Sequence, residues 1–311
     1  MVAEIAPPTE DALSRAVAIL RDGGLVGMPT ETVYGLAANA VDAQAIARIY
    51  EAKGRPRFNP LIAHVSDLGM AQLEGRFSDD AVKLASAFWP GPLTLVVDLA
   101  ETATTCELAR AGLSTIALRC PAHPVAHALI EAFGGPLVAP SANLSGQISP
   151  TTAAHVATDL NEKIDLILDG GPCKTGLEST IIDARGERPA LLRAGALASS
   201  DIEVVWPDLI RPETDSNAPS APGQLLRHYA PRAQLRLNVV APDADEAFLG
   251  FGSVEADLNL SPKASLSEAA ANLFAMLRTL DGTHSKIAVA PIPSDGLGEA
   301  INDRLTRAAR G

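Results

Sequence analysis

The stretch KGRPRFNP, residues 53–60, constrains this chain more than any other. Gly54 permits backbone angles that other residues avoid, while Pro56 and Pro60 fix the backbone and disfavour helix at the residues before them. The stretch is therefore a shaped loop. Its basic residues are Lys53, Arg55 and Arg57.

Two interpretations of this basic loop follow from its residues. Arg and Lys donate charge-assisted hydrogen bonds to phosphate oxygens, and one guanidinium grips two oxygens at once, which favours a polyphosphate site. The other interpretation is a solvated basic turn. The loop alone does not choose between them.

Short apolar runs alternate with amphipathic stretches along the chain, and this pattern predicts a mixture of strands and helices. The predicted helices are residues 9–22, 42–52, 78–88, 124–133, 267–280 and 297–310. The predicted strands include residues 25–28, 61–65, 93–97, 114–119, 137–139, 166–168, 235–240, 248–251 and 286–290. Asp42 is the expected N-cap of the second helix. The last strands and helices predict a small βαβ-type domain.

Composition narrows the class of protein. A length of 311 residues with 47% hydrophobic and 20% charged residues predicts a globular protein of two domains. No apolar run reaches the eighteen or so residues of a membrane span, and the N-terminus lacks the pattern of a signal peptide, so a cytoplasmic location without membrane partners is expected. The net charge of −12 argues against a broad nucleic-acid-binding face.

Neither cysteine nor histidine spacing indicates a protein-held metal. The three cysteines are Cys106, Cys120 and Cys173, an odd number without CxxC spacing. His123 and His127 stand one helical turn apart, but no Glu or Cys completes a ligand set, so both are interpreted as surface residues.

Polar residues follow several predicted strands, where open α/β sheets usually place ligands. Thr30 and Thr32 follow the strand at 25–28, although the sequence pattern alone favours a role in turns and caps over a role in ligand binding. His64 lies at the end of another strand, where a structural hydrogen bond is the alternative to a catalytic role. Thr115 and Arg119 share one face of their strand, and Arg119 requires an anion or carbonyl partner if it is buried.

Further candidates for a ligand site lie beyond residue 137. Small hydroxyl and amide side chains cluster at 140–152, and Ser149 or Thr151 can cap the next helix, whose N-terminus favours an anion. Arg193 ends a strand beside a glycine and is a second candidate phosphate contact. Residues 206–222 are rich in Pro, Ser, Asp and Asn and predict a linker. The segment that follows, residues 223–231, carries Arg227, His228 and Tyr229 and is able to fold over a site as a lid.

Several motifs in order resemble the threonylcarbamoyl-AMP synthase family with its YrdC-like domain. They are PTETVYGLAANA (29–40), KGRPRFNPLIAHV (53–65), WPGPLTLV (89–96), APSANLSG (139–146), TGLESTIID (175–183) and LLRAG (191–195). RHYAP (227–231) and GLGEAINDRLTRAA (296–309) resemble the linker and C-terminal domain of the family's long form.

The resemblance implies a fold and a domain organisation. The expected fold class is α/β, with a twisted open mixed sheet whose concave face is active, followed by a small Rossmann-like α/β domain. The implied divisions are a catalytic domain at 1–205, a linker and lid at 206–232, and a C-terminal domain at 233–311.

The resemblance also implies an activity. The expected enzyme is a nucleotidyltransferase that makes threonylcarbamoyl-AMP and pyrophosphate from L-threonine, bicarbonate and ATP with Mg²⁺, as the first step of a tRNA modification. Mg²⁺ is expected to be held mainly by the ATP phosphates. The implied partner is a downstream threonylcarbamoyl transferase acting on tRNA, and strong direct binding of tRNA is not expected.

Site residues carry over from the family's motifs onto matching positions. The implied catalytic residues are Lys53 and Arg55. The implied ATP contacts are Arg55, Asn59, Thr115, Ser141, Ser149, Arg193 and Tyr229. The implied threonine contacts are Thr32, His64, Arg119, Ala139 through its backbone, and Ser179.

Two alternatives remain beside this activity. YrdC-like domains also occur in carbamoyl-transferring maturation factors, although the acylphosphatase and zinc-finger modules expected beside them are missing from these 311 residues. A non-catalytic RNA-binding protein is the other alternative, and the acidic charge speaks against it.

Overall fold

The structure is a computed structural model that describes residues 3–212 and 229–310. The expected lid residues Arg227 and His228 lie outside the described residues, and Tyr229 lies within them. The helices are α1 Glu10–Arg21, α2 Ala43–Lys53, α3 Leu68–Glu74, α4 Asp79–Phe88, α5 Pro124–Phe133, α6 Ala153–Leu160, α7 Ser199–Val205, α8 Leu266–Asp281 and α9 Leu297–Ala308.

The strands are short, and most of them belong to one large sheet. Its members are β1 Glu4–Ala6, β2 Val26–Met28, β3 Gly35–Asn39, β4 Ile62–His64, β5 Gly75–Arg76, β6 Leu93–Leu99, β7 Thr115–Arg119, β8 Leu137–Val138, β9 Leu166–Leu168, β10 Thr180–Asp183 and β11 Ala190–Arg193. A second sheet contains β12 Gln234–Arg236, β13 Ala247–Gly250, β14 Leu258–Asn259 and β15 Lys286–Val289.

The large sheet is mixed and open. Its strands lie in the order β1-β9-β2-β3-β8-β4-β7-β6-β10-β11, with β5 beside β6. β4 pairs with β7 and β6 pairs with β10 in parallel, whereas β8 runs antiparallel to β3 and β4. The expected α/β class with an open mixed sheet is confirmed.

The helices begin where capping residues predict. The side chain of Thr9 accepts a hydrogen bond from the amide of Ala12 at the start of α1, and Ser78 does the same at α4. Asp42 accepts from the amide of Gln44, which confirms the predicted cap of α2. α2 ends at Gly54, whose φ of 61° is the left-handed conformation that glycine adopts readily.

The C-terminal sheet is parallel throughout, with the order β12-β15-β13-β14. The 16-residue helix α8 and the helix α9 pack against each other and supply Leu273, Phe274, Ile301 and Leu305 to its core. This confirms the predicted small α/β domain. None of the helices in the described ranges is long and apolar enough to cross a lipid bilayer.

The two parts of the chain share one apolar cluster. Val33, Ile148 and Leu177 of the N-terminal part are buried together with Tyr229 and with the core of the C-terminal sheet. Trp206 and Leu209, placed in the linker by composition, pack within the N-terminal part. The division at residue 205 remains a prediction.

Candidate active site

One face of the large sheet is apolar in the middle and polar where the strands end. Ile62, Ala117 and Ile181 form part of a small buried cluster on this face. Because side chains two residues apart point to the same side of a strand, His64, Arg119 and Ser179 share that face. His64 and Arg119 are opposite each other in the register of the parallel pair β4 and β7. The sheet thus delivers an imidazole and a guanidinium to one place.

These side chains line a narrow cleft with a cavity of about 50 Å³. Its walls come from the loops around β3, β4, β8 and β10, from the ends of β7 and β11, and from Tyr229. The lining residues are Thr32, Val33, Arg55, Leu61, Ile62, His64, Arg119, Ala139, Pro140, Ser141, Glu178, Ser179, Arg193 and Tyr229.

Nine of the sequence-predicted site residues meet in this cleft. They are Thr32, Arg55, His64, Arg119, Ala139, Ser141, Ser179, Arg193 and Tyr229. Four others do not line it, namely Lys53, Asn59, Thr115 and Ser149. Positions some 160 residues apart in sequence are therefore neighbours in the fold.

Arg55 is a buried cation held by carbonyl oxygens. Its Nη2 donates to the carbonyl of Pro60 at 2.9 Å and its Nε to that of Asn59 at 3.3 Å. Burial lowers the pKa of Arg55 to about 10, although Tyr50 opposes this shift, and the positive charge of Arg193 lowers the pKa further. Neighbouring cations in a buried cleft provide an environment that favours an anion.

Arg193 ends β11 and contacts the residue that precedes β10. Its Nη2 donates to the carbonyl of Ser179 at 2.8 Å and to its hydroxyl at 3.2 Å. The same hydroxyl bonds to the hydroxyl of Thr94 at 2.8 Å. Burial lowers the pKa of Arg193. This network fixes the Ser179 hydroxyl at the wall of the cleft.

Arg119 forms a buried ion pair with Glu31. Its Nη2 donates to Glu31 Oε1 at 2.6 Å, and its Nε donates to the carbonyl of Gly91 at 3.3 Å. Glu31 also accepts a hydrogen bond from the amide of Ala122 at 3.1 Å. Sequence reasoning predicted that Arg119 needs a partner but did not single out Glu31. The carboxylate in the PTETVYG motif is the signal that points to it.

His64 is 2% exposed and neutral. Burial, reinforced by the charge of Arg119, lowers the pKa of His64 to about 3. Its Nδ1 lies 3.2 Å from the carbonyl oxygen of Ile62, and because a carbonyl only accepts, Nδ1 carries the proton in this contact. Nε2 is then an acceptor, suited to a hydroxyl or an ammonium group.

Lys53 stands behind the cleft rather than in it. It is 2% exposed, and its Nζ donates to the carbonyl oxygens of Ser141 and Asn143. Burial, together with the charge of Arg55, lowers the pKa of Lys53 well below its usual range. Lys53 therefore braces the loop that carries Ser141. Arg57, the third basic residue of its loop, is exposed.

The other predicted contacts that do not line the cleft have different surroundings. Asn59 is 1% exposed, and no described residue bonds either polar atom of its side-chain amide. Ser149 donates its hydroxyl to Glu178. Thr115 begins β7, on the far side of Ala117 from Arg119. An unpaired buried amide calls for a ligand or ordered water.

Glu178 and the surroundings of Tyr229 were missed by sequence reasoning. Glu178 is 7% exposed and bonds to Arg304 of α9 at 2.9 Å. Tyr229 is 1% exposed, and burial raises its pKa to about 12, so its phenol is neutral. The sequence does contain one signal for these buried contacts. Arg304 is a charged residue on the buried apolar stripe that Ile301 and Leu305 form on α9, so it requires buried partners.

Two family models cover nearly the whole chain. One, described as "Telomere recombination", matches residues 18–195. The other, described as "Threonylcarbamoyl-AMP synthase, C-terminal domain", matches residues 197–310. Together they contain every residue that lines the cleft.

Curated relatives match over most of their length. The threonylcarbamoyl-AMP synthase of Pyrococcus abyssi is 41% identical, with 94% of this chain and 93% of the relative covered. The enzyme of the same name from Bacillus subtilis is 40% identical over 96% of this chain and 93% of the relative. The crystal structure of P. abyssi Sua5 complexed with L-threonine superposes with a TM-score of 0.90 at 38% identity, covering 99% of this chain and 96% of that one.

Proposed function

The chain belongs to the threonylcarbamoyl-AMP synthase family, and on that premise we propose that its cleft joins a carbamate of L-threonine to the adenylyl group of ATP. The activity of the chain is the synthesis of threonylcarbamoyl-AMP. The observation that carries the proposed site is the meeting of Arg55, Arg119 and Arg193 with a neutral His64 in one buried cleft of an acidic protein.

The proposed reaction has two steps. The amine of threonine adds to CO₂ derived from bicarbonate, and loss of a proton gives the carbamate. A carbamate oxygen then attacks the α-phosphorus of ATP, a new P–O bond forms, and the bond to the β-phosphate oxygen breaks to release pyrophosphate. The protein contributes positioning and charge stabilisation and forms no covalent bond with the substrates.

The threonine half of the site is proposed at the ends of β4 and β7. Arg119 receives the substrate carboxylate, since Glu31 holds the guanidinium in place through Nη2. His64 accepts a hydrogen bond from the substrate through Nε2. The remaining proposed contacts are Thr32, Ser179 and the backbone of Ala139. Similarity to the P. abyssi Sua5 that was solved with L-threonine supports L-threonine as the substrate.

The nucleotide half is proposed beside it. Arg55 and Arg193 neutralise the charge that grows on the phosphates, and Asn59 supplies a side-chain amide with both polar atoms available. Further proposed ATP contacts are Thr115, Ser141, Ser149 and Tyr229. Lys53 acts by holding the loop that carries Ser141.

We propose that Mg²⁺ enters as the complex with ATP, coordinated mainly by the phosphates. Within the described ranges, the structure contains no group of three or more His, Cys, Asp or Glu side chains arranged to hold a metal ion. The arginines of the cleft suit phosphate oxygens and exclude a free cation. The metal would neutralise phosphate charge during displacement of pyrophosphate.

The size of the cleft implies that the site opens to load ATP. Ligand pockets usually measure about 300–1,000 Å³, whereas this cavity measures about 50 Å³. We infer that the side chain of Tyr229 moves aside to admit ATP and returns afterwards, which keeps water from the carbamate and the adenylate. We further propose that a separate transferase carries the product to tRNA, because the net charge of −12 disfavours strong tRNA binding here.

The test is pyrophosphate release by the full chain with ATP and Mg²⁺. We expect release that requires both L-threonine and bicarbonate, with threonylcarbamoyl-AMP as the adenylated product by mass spectrometry. Release that is unchanged without threonine would contradict the proposal. Tight tRNA binding without any release would instead favour the RNA-binding alternative.

Two variants of the basic loop sharpen the assignment. Arg55→Ala should abolish release because it removes a buried cation from the cleft, whereas Arg57→Ala should retain it because Arg57 is exposed. Lys53→Ala should also abolish release through displacement of the 141–143 loop. Full turnover by Arg55→Ala in a folded protein would remove the loop from the mechanism.

A further inference from the structure

Arg304 of α9 is a fully buried charge in the C-terminal domain. It is 1% exposed and shares the inward face of α9 with Ile301 and Leu305. Arginine on such a stripe is unfavourable unless it has partners, because burial removes the hydration of its charge. The partners of Arg304 therefore indicate its role.

The guanidinium of Arg304 reaches across the domain boundary to the wall of the cleft. Its Nε donates to Glu178 Oε2 at 2.9 Å, and its Nη1 donates to Asp303 Oδ2 at 2.7 Å. The other oxygen of Glu178 accepts from the hydroxyl of Ser149. Arg304 thus fixes a carboxylate that lies between Ser149 and the cleft.

Arg304 also lies over the ring of Tyr229. Its Cζ is 5.1 Å from the ring centroid, a distance typical of a cation–π contact. The ring of Phe274 from α8 stacks on Tyr229 with centroids 5.6 Å apart and an interplanar angle of 23°. Two residues of the C-terminal domain therefore contact the tyrosine ring that lines the cleft.

We propose that Arg304 and Phe274 are positioning residues through which the C-terminal domain sets the nucleotide half of the site. Arg304 holds Tyr229 and Glu178, Phe274 holds the ring of Tyr229, and neither residue need touch the substrate. A buried ion pair contributes little net stability compared with apolar packing, so fixed geometry is what the pair supplies here. The inference rests on the proposed function, because it assigns Tyr229 and Ser149 to ATP.

The test compares Michaelis constants for the two substrates. Arg304→Met should raise the KM for ATP about 10- to 100-fold, the range for loss of charged hydrogen bonds. The KM for L-threonine should change less than about threefold, because Arg119 and His64 do not contact Arg304. Arg304→Lys retains a charge for Glu178 but loses the planar cation over Tyr229, so we expect an intermediate KM for ATP.

The matched control is Arg211→Met. Arg211 also pairs with a carboxylate on α9, Glu299, at 3.2 Å, but this pair is partly exposed and neither residue lines the cleft. It should leave both Michaelis constants unchanged. If the constants changed because α9 is generally loosened, both variants would show the change. Equal effects of Arg304→Met on the KM for ATP and on the KM for L-threonine would overturn the inference.

A second variant covers the possibility that Arg304→Met does not fold. Phe274→Leu leaves the ion pair with Glu178 intact and removes only the ring stacked on Tyr229. It should also raise the KM for ATP selectively. A folded Phe274→Leu protein with wild-type constants for ATP would overturn the inference.

Failure of the inference is distinct from failure of the proposed function. If the wild-type chain releases pyrophosphate in a threonine-dependent manner while both folded variants match it, only the positioning role is wrong. If the wild-type chain shows no such release, the proposed function is wrong, and with it the inference.

Discussion

At the scale of single residues, the ion pair between Arg119 and Glu31 shapes the site before any substrate binds. Both side chains are nearly fully buried, and one guanidinium nitrogen is already bonded to a carboxylate. An incoming carboxylate therefore meets a guanidinium whose orientation is fixed. Because the guanidinium is already ordered, binding of the carboxylate costs less conformational entropy.

The pair predicts how threonine affects stability when Glu31 is neutralised. Glu31→Gln leaves Arg119 buried without an anionic partner and should lower the free energy of unfolding by about 3–5 kcal/mol. L-Threonine should recover part of this loss because its carboxylate replaces the missing charge. Thermal unfolding should therefore show a larger threonine-induced increase in Tm for Glu31→Gln than for wild type.

A control for this prediction is Glu299→Gln. Glu299 pairs with Arg211 at a partly exposed position, so the change should move Tm less than Glu31→Gln does and leave the threonine effect as in wild type. Equal threonine-induced shifts in Glu31→Gln and wild type would show that Arg119 does not receive the substrate carboxylate.

The neutral His64 predicts a pH dependence of stability. Burial holds its pKa near 3, whereas in the unfolded chain the value is about 6.5. Below pH 6.5 the unfolded state therefore takes up a proton that the folded state does not, and stability is lost as the pH falls from 6.5 towards 3. When the pH is lowered from 7 to 5, the free energy of unfolding measured in urea should fall by about 2 kcal/mol more for wild type than for His64→Gln.

His284→Gln provides the comparison for this measurement. His284 is exposed on the C-terminal domain, and its replacement should leave the dependence of stability on pH as in wild type. If His64→Gln lost as much stability as wild type over the same interval, titration of His64 would not be the cause.

The basic loop illustrates what sequence predicts at this scale. The residues predict a cationic site, and the fold brings Arg55 to the cleft. The direction of each basic side chain depends on contacts that are remote in sequence, such as the carbonyls of Ser141 and Asn143 that bind Lys53. Glu178 was missed for the same reason, since its partner Arg304 is 126 residues away.

At the scale of elements, a glycine in the turn between β10 and β11 and a glycine just after β11 differ in the space around them. A Cβ on Gly195 would lie 2.4 Å from the carbonyl oxygen of Glu178 and 2.5 Å from the amide nitrogen of Thr180. A Cβ on Gly186, in the turn of the hairpin, would meet nothing closer than 3.6 Å. Of these two glycines, only Gly195, beside residues that line the cleft, is required by a close approach of backbone.

This difference predicts unequal effects of the same substitution. Gly195→Ala should displace the segment carrying Ser179 and reduce kcat/KM at least about tenfold, the usual scale for misplaced binding groups. Gly186→Ala should stay within about 0.5 kcal/mol of wild-type stability and keep full activity. Steady-state pyrophosphate release with denaturant unfolding checks both, and a fully active Gly195→Ala protein would contradict the assigned packing.

Helices with strong local signals were predicted closely, whereas the short helices α3 and α7 were not predicted. The boundaries of α1, α2 and α4 lie within one residue of the predicted ones, because caps and apolar periodicity mark helices locally. β3 was not predicted, since its sequence GLAAN lacks the β-branched and aromatic residues that signal a strand. Its strand conformation comes from pairing with β2 and β8.

At the scale of the whole molecule, strand order lay beyond sequence patterns. β9 lies between β1 and β2, and β8 between β3 and β4, so neighbours in the sheet are distant in the chain. Alternating polarity specifies which face a side chain occupies but not which strand lies beside it. The family resemblance, rather than periodicity, supplied the open mixed sheet.

The junction between the two parts of the chain predicts the effect of another glycine substitution. A Cβ on Gly176, where φ is +68°, would lie 2.5 Å from the carbonyl oxygen of Ala270 in α8. Gly176→Ala should therefore push α8 away and destabilise the protein by more than about 2 kcal/mol, with loss of activity. Denaturant unfolding and pyrophosphate release measure the two effects.

Gly252→Ala is the matched control for this junction. Gly252 has a similar φ of +76° but nothing within 4 Å of the added carbon, so it carries the backbone strain without the collision. It should cost about 1–2 kcal/mol and preserve activity. If both substitutions had the same effect, contact between Gly176 and α8 would not matter for function.

The apolar cluster shared by Val33, Leu177 and the core of α8 has a consequence for how such proteins evolve. The core of the C-terminal domain is completed in this chain by residues that come from the N-terminal part. A chimaera in which this domain is replaced by that of a distant relative would need matching changes in both parts of the shared apolar cluster. In a chain that carries both parts, changes on one side of this shared core therefore constrain changes on the other.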